Sequence, residues 1–388
     1  MQQPRRVALV HEWLTSMRGG ERVLESLGAM FPGADLFTLL HIKGSVSGKI
    51  EAMPIRTSFI QHLPLASTRY RYYLPLFPTA IRRFDLREYD LVISSHHSVA
   101  KSVRTGPRTL HLCYCHTPMR YIWNLFDDYF GEGRSGAVTR AGARLFRGYL
   151  QRQDLASAGN PAAFVANSEH IRSRIRKIYN RDAEVIYPPV EVKSFSLATG
   201  SGEYYLVAGA LVPYKRVDLA IRVFNGTGDP LVVAGDGPDR ERLQSIAGPN
   251  ISFQQDLSDQ EMKTLFAGCR ALIFPGEEDF GIIPVEAMAS GKPVVAYGKG
   301  GALETVRDGE TGILFAEQTE DSLSAAVRRL CETVFDPVLL REHAMRFDRS
   351  VFEDRMSAFV RRHWEEWVRT GLSREGGSFA QLPDSGFR

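Results

Sequence analysis

Long apolar runs are missing from this sequence, and their absence limits what the chain can be. No stretch of the 388 residues approaches the roughly 18 consecutive apolar residues that a membrane-spanning helix needs. The start, MQQPRRVALVHEW, has two arginines but only four apolar residues directly after them, which is too short for a secretory signal peptide. We therefore expect neither a transmembrane nor a secretory segment.

Potential metal ligands are also sparse. The four cysteines fit a protein of a reducing compartment; they are Cys113, Cys115, Cys269 and Cys331. The first two alternate along one apparent strand, and no second pair stands at zinc-ligand spacing. No Asp-x-Asp pair occurs in the chain, which disfavours a diphosphate held through a metal ion. We expect no metal and no cofactor.

Acidic residues are absent from two long reaches, 52–84 and 91–126. Both lie in the first half: residues 1–187 hold 26 Lys and Arg against 15 Asp and Glu, and the remainder holds 22 against 30. The net charge of +3 hides this asymmetry. A basic half predicts an anionic partner, with phosphate, nucleic acid and a membrane surface as the candidates.

What the sequence does contain is a repeated order of strand, loop and helix. Its length exceeds what one hydrophobic core usually supports, so we expect two domains. Apolar runs such as RVALVHEW, DLVISSHHS and TLHLCYCHT, and later YYLVAGAL, RALIFPG and KPVVAYG, alternate with helical stretches. This pattern predicts parallel strands covered on both faces, and hence two doubly wound, Rossmann-like α/β domains.

The domain boundaries follow from breaks in that pattern. Pro188, Pro189 and the loose SFSLATGSGE mark a linker, so the predicted domains are 1–190 and 200–348. We expect a helix at about 350–372 to pack back on the first domain, and the tail 373–388 to be loose. Because ligands bind outside the carboxyl ends of strands in such sheets, two facing sheets predict a cleft between the domains.

The stretch FPGEEDFGIIPVEAMASGKPVVA, which begins at residue 274, places two carboxylates around a glycine turn. Pro284 suits the first position of a helix and Gly291 its end, so Glu278 should lie in the loop and Glu286 in the first helical turn. The unpaired N–H groups of a first turn suit an anionic ligand. Alternatively, Glu286 merely offsets the helix dipole, as acids in first turns commonly do.

Further candidates stand at predicted strand ends. Lys215 and Arg216, in GALVPYKRVDLAI, either hold a diphosphate and stabilise it as a leaving group, or form a solvated pair. Gly19 and Gly20 follow the first strand, where backbone can approach a phosphate, although they lack the third glycine of the dinucleotide fingerprint. His116, in CYCHTP, is either catalytic or a hydrogen-bonded structural histidine.

Two basic amphipathic segments lie in the first half. STRYRYYLPLFPTAIRRF, residues 67–84, mixes four arginines with aromatic residues. GRSGAVTRAGARLFRGYLQRQ, residues 133–153, carries five, with Arg140, Arg144 and Arg147 at helical spacing. Such segments either lie on anionic lipid, each charge contributing about 1 kcal/mol, or form a solvated face. We expect no nucleic-acid partner, because no known binding module is visible.

The order of these motifs resembles that of the retaining glycosyltransferases of family 4, which have the GT-B fold. It comprises Gly-Gly after the first strand, a His-x-Pro loop, the Lys-Arg loop, and Glu-x7-Glu enclosing Phe-Gly-Ile. The resemblance runs from about residue 7 to 365, and EEDFGIIPVEAMASGKPVVA is its most specific part. CYCHTPMRYIW, FVANSEHI, VIYPPV and ALVPYKRVDLAI are similar to the bacterial mannosyltransferase-type branch, which builds exopolysaccharide and O-antigen repeat units.

This resemblance implies roles for the candidate side chains. Glu286 would bind the ribose hydroxyls of a nucleotide. Glu278 would contact a hydroxyl of the donor sugar and counter the positive charge that develops at the anomeric carbon. His116 would face that sugar from the other domain.

The resemblance also implies that Lys215 and Arg216 bind the diphosphate together with the backbone of Gly19 and Gly20. The backbone of Phe280, Gly281 and Ile282 would line the sugar and phosphate. One position departs from the family. Many members carry arginine after the glycine of the strand before the lysine loop, and Ala210 stands there in this chain. Either Arg216 substitutes for it, or diphosphate binding rests more heavily on Lys215.

The implied reaction is metal-independent transfer of a hexose with retention, in which the acceptor hydroxyl enters beside the departing diphosphate. A covalent double displacement would need a carboxylate beneath the anomeric carbon, and no residue identifies itself for that role. The implied donor is GDP-mannose, a substrate rather than a cofactor, and the acceptor is a polyprenyl-diphosphate-linked saccharide. We expect a cytoplasmic enzyme bound peripherally to the anionic inner face of the cell membrane.

Three alternatives remain open at this stage. A nucleotide-sugar epimerase of the same fold would need only the donor, and a glycosyltransferase with a soluble acceptor would not need the basic segments to bind lipid. A non-catalytic nucleotide-sugar-binding protein would retain Lys215 and Glu286 but could dispense with Glu278 and His116. The presence of the latter two speaks against it.

Overall fold

Two parallel sheets, one in each half of the chain, dominate the architecture. The computed structural model describes residues 3–123 and 137–374, without the side chains of residues 137–145 and 371–374. The first sheet has seven strands and the second has six, and their neighbouring strands run parallel. The prediction of two doubly wound α/β sheets is confirmed.

The first sheet has the strand order β3-β2-β1-β5-β7-β8-β9. Its strands are β1 (Val7–His11), β2 (Asp35–Thr38), β3 (Ile55–Thr57), β5 (Leu91–His96), β7 (Leu110–Cys115), β8 (Ala163–Ala166) and β9 (Glu184–Val185). A separate parallel pair consists of β4 (Asp85–Leu86) and β6 (Arg104–Thr105). The strand order reverses between β1 and β5, so the carboxyl ends of these two strands form the topological switch point.

Helices cover both faces of this sheet. They are α1 (Gly19–Met30), α2 (Gly48–Glu51), α3 (Ala66–Arg69), α4 (Phe77–Arg82), α5 (Arg120–Trp123), α6 (Ala137–Ala156) and α7 (Glu169–Tyr179). Helix α1 directs Val23, Leu24 and Leu27 into the core, where all three are fully buried. Each such side chain contributes about 1.5–3 kcal/mol on burial, which fixes the helix against the sheet.

The second sheet has the order β12-β11-β10-β13-β14-β15, with its switch point between β10 and β13. The strands are β10 (Tyr204–Ala208), β11 (Leu231–Ala234), β12 (Ile251–Gln254), β13 (Cys269–Phe274), β14 (Val294–Tyr297) and β15 (Gly312–Phe315). The helices are α8 (Val217–Thr227), α9 (Arg240–Ser245), α10 (Asp259–Gly268), α11 (Ile282–Ala289), α12 (Ala302–Thr305), α13 (Glu320–Glu332) and α14 (Pro337–Ala344). Separate apolar clusters, one including Val285 and the other Leu219, pack around this sheet.

The chain crosses between the two halves twice, and the two crossings lie side by side. The N–H of Val190 donates to the carbonyl of Phe347 at 3.0 Å, and the N–H of Arg349 donates to the carbonyl of Val190 at 2.9 Å. We call these residues, with the bridge between Val190 and Asp348, the paired crossing.

After the paired crossing, helix α15 (Arg349–Arg374) returns to the first half. Its residues Phe352, Met356 and Phe359 are buried in the same cluster as Leu9 and Val23. The helix extends two residues beyond the predicted end, and residues 375–388 of the predicted tail lie outside the described residues. The exact domain boundaries stay predictions. Neither this helix nor any other in the described ranges is long and apolar enough to cross a membrane.

Candidate functional site

The first turns of α1 and α11 meet across the two halves. A Cβ atom at Gly19 would lie 2.8 Å from Cδ1 of Ile282, so only glycine allows this approach without displacing that side chain. Gly19 begins α1 and Ile282 begins α11. Both helix starts carry unpaired N–H groups and the positive end of a helix dipole, which together favour an anionic ligand between them.

Helix α11 begins two residues earlier than the sequence predicts. Gly281 precedes it with φ 85°, a left-handed conformation that glycine adopts without strain, and Ile282 is the first helical residue. Pro284 is therefore the third helical residue, where its missing N–H would have no intrahelical partner anyway. Glu286 is the fifth, so its predicted place in the first turn is wrong. Gly291, with φ 76°, follows the helix end as predicted.

Glu286 nevertheless lies at the contact between the halves. Its side chain is only 13% exposed, and Nη2 of Arg22, on α1, stands 4.0 Å from its Oε1. Burial raises the pKa of this carboxyl, Arg22 opposes that rise, and Asp259 adds to it. The nearby cation only partly offsets the desolvation of this carboxylate.

Lys215 and Glu278 come together from the loops that follow β10 and β13. Nζ of Lys215 lies 2.6 Å from Oε1 of Glu278, and both side chains are mostly buried. Two glycines permit this approach: a Cβ at Gly276 would lie 2.6 Å from Cα of Lys215, and one at Gly209 would lie 3.0 Å from Nζ. The two groups form an ion pair without an aligned hydrogen bond, because Oε1 of Glu278 is buried and has no donor in hydrogen-bond geometry.

Arg216, the neighbour of Lys215, is turned toward its own helix. It adopts φ 52°, a left-handed conformation that is uncommon for a side chain other than glycine. Its Nε donates to Oδ1 of Asp218 in the first turn of α8, at 3.4 Å. An acidic partner within the second half therefore already engages this cation.

Asp279 joins the two halves, a role that the sequence did not reveal. Its Oδ2 accepts a hydrogen bond of 2.8 Å from Nε of Arg120, and Oδ1 accepts one of 3.3 Å from Nη1 of Arg174. The hydroxyl of Ser168 donates to the backbone carbonyl of Asp279 at 2.6 Å. Burial acts to lower the pKa of Arg120, but the Asp279 carboxylate outweighs it and raises that pKa above its usual value.

A second carboxylate crosses between the halves beside this contact. The oxygens of Glu304 accept the N–H groups of Glu169 and His170 at 2.8 and 3.0 Å. These N–H groups belong to the first turn of α7, so an acid from the second half caps a helix of the first half. In the sequence, the only hints of these contacts are the acidic loop that contains Asp279 and the serine before α7, Ser168.

His116 lies directly after β7, beside the start of α1. Gly20 of that start approaches His116, and Gly19 approaches Ile282 of the second half. Nε2 of His116 is 2.8 Å from Oγ of Ser95. A Cβ at Gly20 would lie 3.8 Å from that same Nε2, so the first turn of α1 covers the imidazole. Burial, followed by the neighbouring imidazoles of His97 and His11, lowers the pKa of His116 well below its usual value.

Glu12, directly after β1, anchors the loop that follows β5. Its fully buried carboxylate accepts the N–H groups of four successive residues, at 2.7 to 3.1 Å from Oε1: His97, Ser98, Val99 and Ala100. Burial would raise the pKa of Glu12, but the contact with His96 and these donors lower it below its usual range. Within the described residues, no group of three His, Cys, Asp or Glu side chains is arranged to hold a metal ion.

The predicted lipid-facing arginines are only partly described. The side chains of Arg140 and Arg144 lie outside the described residues. The Nε of Arg147 donates to the carbonyl of Ile122 at 2.9 Å, so this arginine is tied to the protein rather than directed only outward. That the three arginines face lipid stays a prediction.

Residues 65–76, which include the first part of the predicted basic segment 67–84, form a surface that we call the 65–76 surface. Leu65 is 62% exposed and Tyr72 is 72% exposed. Arg69 and Arg71 are exposed beside them. Exposed aromatic, aliphatic and arginine side chains in one segment are typical of a surface that meets lipid headgroups.

Two protein-family models match adjoining parts of the chain. The model described as Glycosyltransferase Family 4 matches residues 19–194, and the model described as Glycosyl transferases group 1 matches residues 191–346. Their junction coincides with the first strand of the paired crossing. Together they span most of the residues that form the two sheets.

Among curated proteins, the chain is similar to the uncharacterized glycosyltransferase MJ1178 of Methanocaldococcus jannaschii, with 27% identity over 212 residues. That match covers 53% of this chain and 60% of the relative. The O-antigen chain mannosyltransferase RfbU of Salmonella typhimurium is 31% identical over 137 residues, covering 32% of this chain and 39% of the relative. In both cases the match spans less than two thirds of the relative.

Solved structures match over nearly the whole chain. Anabaena Alr3699/HepE in complex with UDP-glucose has a TM-score of 0.66 and 16% identity, covering 91% of this chain and 99% of that chain. Sucrose-phosphate synthase from Thermosynechococcus elongatus has a TM-score of 0.68 and 16% identity, covering 92% and 100%. At this level of identity the likeness shows a shared fold.

Proposed function

Because this chain belongs to the family 4 glycosyltransferases with the GT-B fold, we propose that it transfers a hexose from a nucleotide diphospho-sugar to a saccharide acceptor, with retention. One observation carries this proposal. Lys215 and Glu278 meet at the switch point of the second sheet, and the glycine start of α1 approaches the start of α11 from the first half. An activated sugar needs this combination of a cation, a carboxylate and unpaired N–H groups.

The diphosphate would lie between Lys215 and the two helix starts. Its negative charge suits the N–H groups of Gly19 and Gly20, and those of Gly281 and Ile282 opposite them. Lys215 is already paired with Glu278 at 2.6 Å, so a bound diphosphate would give the lysine a second anionic partner. Arg216 would join them only by exchanging Asp218 for phosphate, because its Nε now donates to that carboxylate. The backbone of Phe280, whose side chain is buried in the core, would line the sugar.

In the reaction, the bond between the anomeric carbon and the diphosphate oxygen breaks, and the bond to the acceptor oxygen forms on the same face of the sugar. The proton of the acceptor hydroxyl passes to the departing diphosphate. Glu278 would counter the positive charge of the oxocarbenium-like sugar, and Lys215 the negative charge of the leaving group.

We propose GDP-mannose as the donor, with the ribose hydroxyls on Glu286. The similarity to the mannosyltransferase RfbU and the motifs of that branch support mannose. The fold relative HepE was solved with UDP-glucose, a different nucleotide and sugar, so the shared fold does not select between them.

The proposed acceptor is a polyprenyl-diphosphate-linked saccharide, reached from the inner face of the cell membrane. The 65–76 surface supports this proposal, since Leu65 and Tyr72 could enter the interface while Arg69 and Arg71 meet lipid phosphates. Arg140 and Arg144 would add to it from α6.

We further propose that transfer needs no metal, since Lys215 and the helix starts supply the charge that a divalent ion would otherwise provide. Turnover should survive excess EDTA. Complete loss of turnover that Mg²⁺ restores would contradict this part of the proposal.

A screen of nucleotide diphospho-sugars by thermal shift tests the donor assignment. A donor at one hundred times its dissociation constant stabilises the folded chain by about 2.7 kcal/mol, so the true donor should raise the melting temperature most. Lys215→Gln should abolish the shift, whereas Lys177→Gln, an exposed lysine on α7, should not. Transfer of labelled mannose to a lipid extract then tests catalysis, and a chain that binds no nucleotide sugar would overturn the proposal.

A further inference from the structure

Four side chains of the first half form a continuous hydrogen-bonded chain that ends at His116. Oε1 of Glu21 lies 3.4 Å from Nε2 of His11. Nδ1 of His11 lies 3.0 Å from Oγ of Ser95, and the same Oγ lies 2.8 Å from Nε2 of His116. Glu21, His11 and Ser95 are buried.

The chemistry of the four groups sets the direction of their hydrogen bonds. The contact with His11 lowers the pKa of Glu21 against the effect of burial, so its carboxylate is ionised and can only accept. Its other oxygen already accepts the N–H of Arg18 at 3.0 Å. The proton of a neutral His11 must therefore sit on Nε2, which leaves Nδ1 as an acceptor.

This direction continues to His116. The hydroxyl of Ser95 donates its single proton to Nδ1 of His11, so toward His116 the same oxygen can only accept. Nε2 of His116 must then carry a proton. Neutral His116 is left with Nδ1 as a free acceptor, and no described residue donates to that atom.

The surroundings oppose a positive charge on three neighbouring imidazoles, those of His96, His97 and His116. His11, His96, His97 and His116 cluster at the carboxyl edge of the first sheet, with Glu12 and Glu21 as the nearby carboxylates. Burial lowers the pKa of His97 to about 4 and also lowers those of His96 and His116. A second charge among four imidazoles would face repulsion in a low-dielectric site.

We infer that Glu21, His11 and Ser95 are positioning residues that hold neutral His116 as the Nε2–H tautomer, so that its Nδ1 accepts a hydrogen bond from a hydroxyl of the donor sugar. We call these three residues the relay. The inference rests on the proposed function for the placement of the sugar, but the tautomer itself does not depend on any ligand.

Gly20 fits this arrangement. A Cβ at this position would lie 3.4 Å from Cε1 of His11 and 3.8 Å from Nε2 of His116. The start of α1 thus packs over both imidazoles while offering its N–H groups to the diphosphate. Gly19 and Gly20 therefore lie between the proposed phosphate site and His116.

The relay makes a specific demand on the donor sugar. A pure acceptor at Nδ1 recognises a hydroxyl, which can donate, and does not recognise fluorine, which cannot. A donor in which fluorine replaces the contacted hydroxyl should lose the interaction, although its size is nearly unchanged. This sets His116 apart from Lys215, which can only donate.

The decisive measurement is the tautomer of His116 in the full-length chain, read from the ¹⁵N chemical shifts of chain labelled at its histidines. Comparison with His116→Gln assigns its signals. We expect a protonated Nε2 and an unprotonated Nδ1 at neutral pH. A proton on Nδ1 of His116, or a doubly protonated His11, would overturn the inference even if the protein proves to be an active glycosyltransferase.

Glu21→Gln gives a second, independent test. A glutamine whose oxygen keeps the N–H of Arg18 must turn its NH₂ toward His11, which reverses every donor in the relay. His116 should then carry its proton on Nδ1, and kcat/KM for the donor should fall by about tenfold, the effect of losing one hydrogen bond to the sugar. An unchanged tautomer in this folded variant would contradict the inference.

Two serines provide matched controls. Ser95→Ala should break the relay and lower kcat/KM, and Ser95→Thr should restore it because threonine keeps the hydroxyl. Ser94 is the neighbouring residue on β5, and its Oγ pairs with His111 at 2.9 Å outside the relay. Ser94→Ala should therefore leave both the tautomer of His116 and donor discrimination unchanged. Equal effects of Ser94→Ala and Ser95→Ala would contradict the inference, because they would show that the loss comes from altered packing rather than from a broken hydrogen bond.

Discussion

Two carboxylates, Glu12 in the first half and Glu286 in the second, are shielded from water but held very differently. Glu12 is fully buried and accepts hydrogen bonds from successive backbone N–H groups, which lower its pKa. Glu286 has only distant cations, Nη2 of Arg22 at 4.0 Å and Lys263, and burial raises its pKa. The first carboxylate is satisfied by the protein itself, and the second is not.

The same contrast holds for the groups around them. Several polar side chains at the carboxyl edge of the first sheet bind one another, as in the relay, although Nε2 of His96 has no hydrogen-bond partner among the described residues. In the second half, Glu278 keeps a buried oxygen without an aligned donor. Since buried polar groups are usually hydrogen-bonded, unsatisfied ones mark where a ligand is expected. The first half therefore forms a self-bonded wall around Glu12, and in the proposed function the second half supplies most of the side chains that hold the donor.

The largest effect should come from breaking the wall. Glu12→Gln places an NH₂ among N–H donors, so we expect a loss of about 3–5 kcal/mol in the free energy of unfolding at pH 7. Because the folded pKa of Glu12 is below its unfolded value of about 4.3, the stabilisation is present above that pH and is lost as pH falls further. Chemical denaturation at pH 7 and pH 4 measures both effects.

The control for this variant is Glu277→Gln, an exposed carboxylate in the second half, which should change the free energy of unfolding by about 0.5 kcal/mol or less. A similar small change for Glu12→Gln, or a difference that grows on acidification, would contradict the structural role assigned to Glu12.

Breaking the donor site should act on turnover rather than on folding. Glu278→Gln removes the carboxylate opposite the developing charge, and we expect kcat to fall by about 100- to 1000-fold. The free energy of unfolding should change by about 1 kcal/mol or less, since glutamine keeps the size of the side chain and an oxygen that can face the Lys215 ammonium. Nucleotide alone should bind at least as tightly, because Lys215 loses a competing anion. If Glu278→Gln weakens nucleotide binding and leaves kcat unchanged, Glu278 binds the nucleotide and does not stabilise the developing charge.

A third prediction concerns the 65–76 surface, which is confined to the first half. Replacing Arg69 and Arg71 together by glutamine should weaken binding to anionic liposomes by about 2 kcal/mol, measured by sedimentation at low salt. The matched variant replaces Arg307 and Arg328, exposed arginines of the second half, and should bind as the parent chain does. Equal losses from both pairs would indicate net charge rather than a docking surface.

The smallest expected effect is that of Glu286→Gln, which tests the contrast between Glu12 and Glu286. Glu286→Gln should weaken nucleotide binding by about tenfold, the loss of a charged hydrogen bond to ribose. Because its folded pKa is raised, this carboxyl stabilises the fold at low pH and loses that contribution as pH rises through the folded value. At pH 7 the variant should therefore be slightly more stable, whereas Glu241→Gln, an exposed acid, should change neither property.

The sequence predicts the sheets well because each strand is a local apolar run, as in Val7–His11 and Cys269–Phe274. It also predicts that Lys215 and Glu278 share one edge, since both follow parallel strands of one sheet. Their direct contact depends on the close approach of two loops, which glycine spacing alone does not specify. The start of α11 was misplaced because proline was a stronger signal than the left-handed Gly281 before it.

The relay and the contacts of Asp279 could not be predicted for a different reason. His11 and Ser95 are 84 residues apart, and Arg120 and Asp279 are 159 apart. Such pairs depend on the order of the strands and on how the halves face each other, and neither leaves a periodic signal in one chain. In the sequence, these networks are visible only as single polar residues that interrupt apolar runs.

The paired crossing has a mechanical consequence. Two adjacent chain segments are hydrogen-bonded to each other at this point, which we call the pin. We expect the halves to rotate about the pin more easily than they slide apart. Substrate entry would then need only a rotation that widens the gap between the halves on the side away from the paired crossing. The spacing between Val190 and Arg349 would stay constant. Spectroscopic labels placed at the rim and beside the pin should report large and negligible distance changes, respectively.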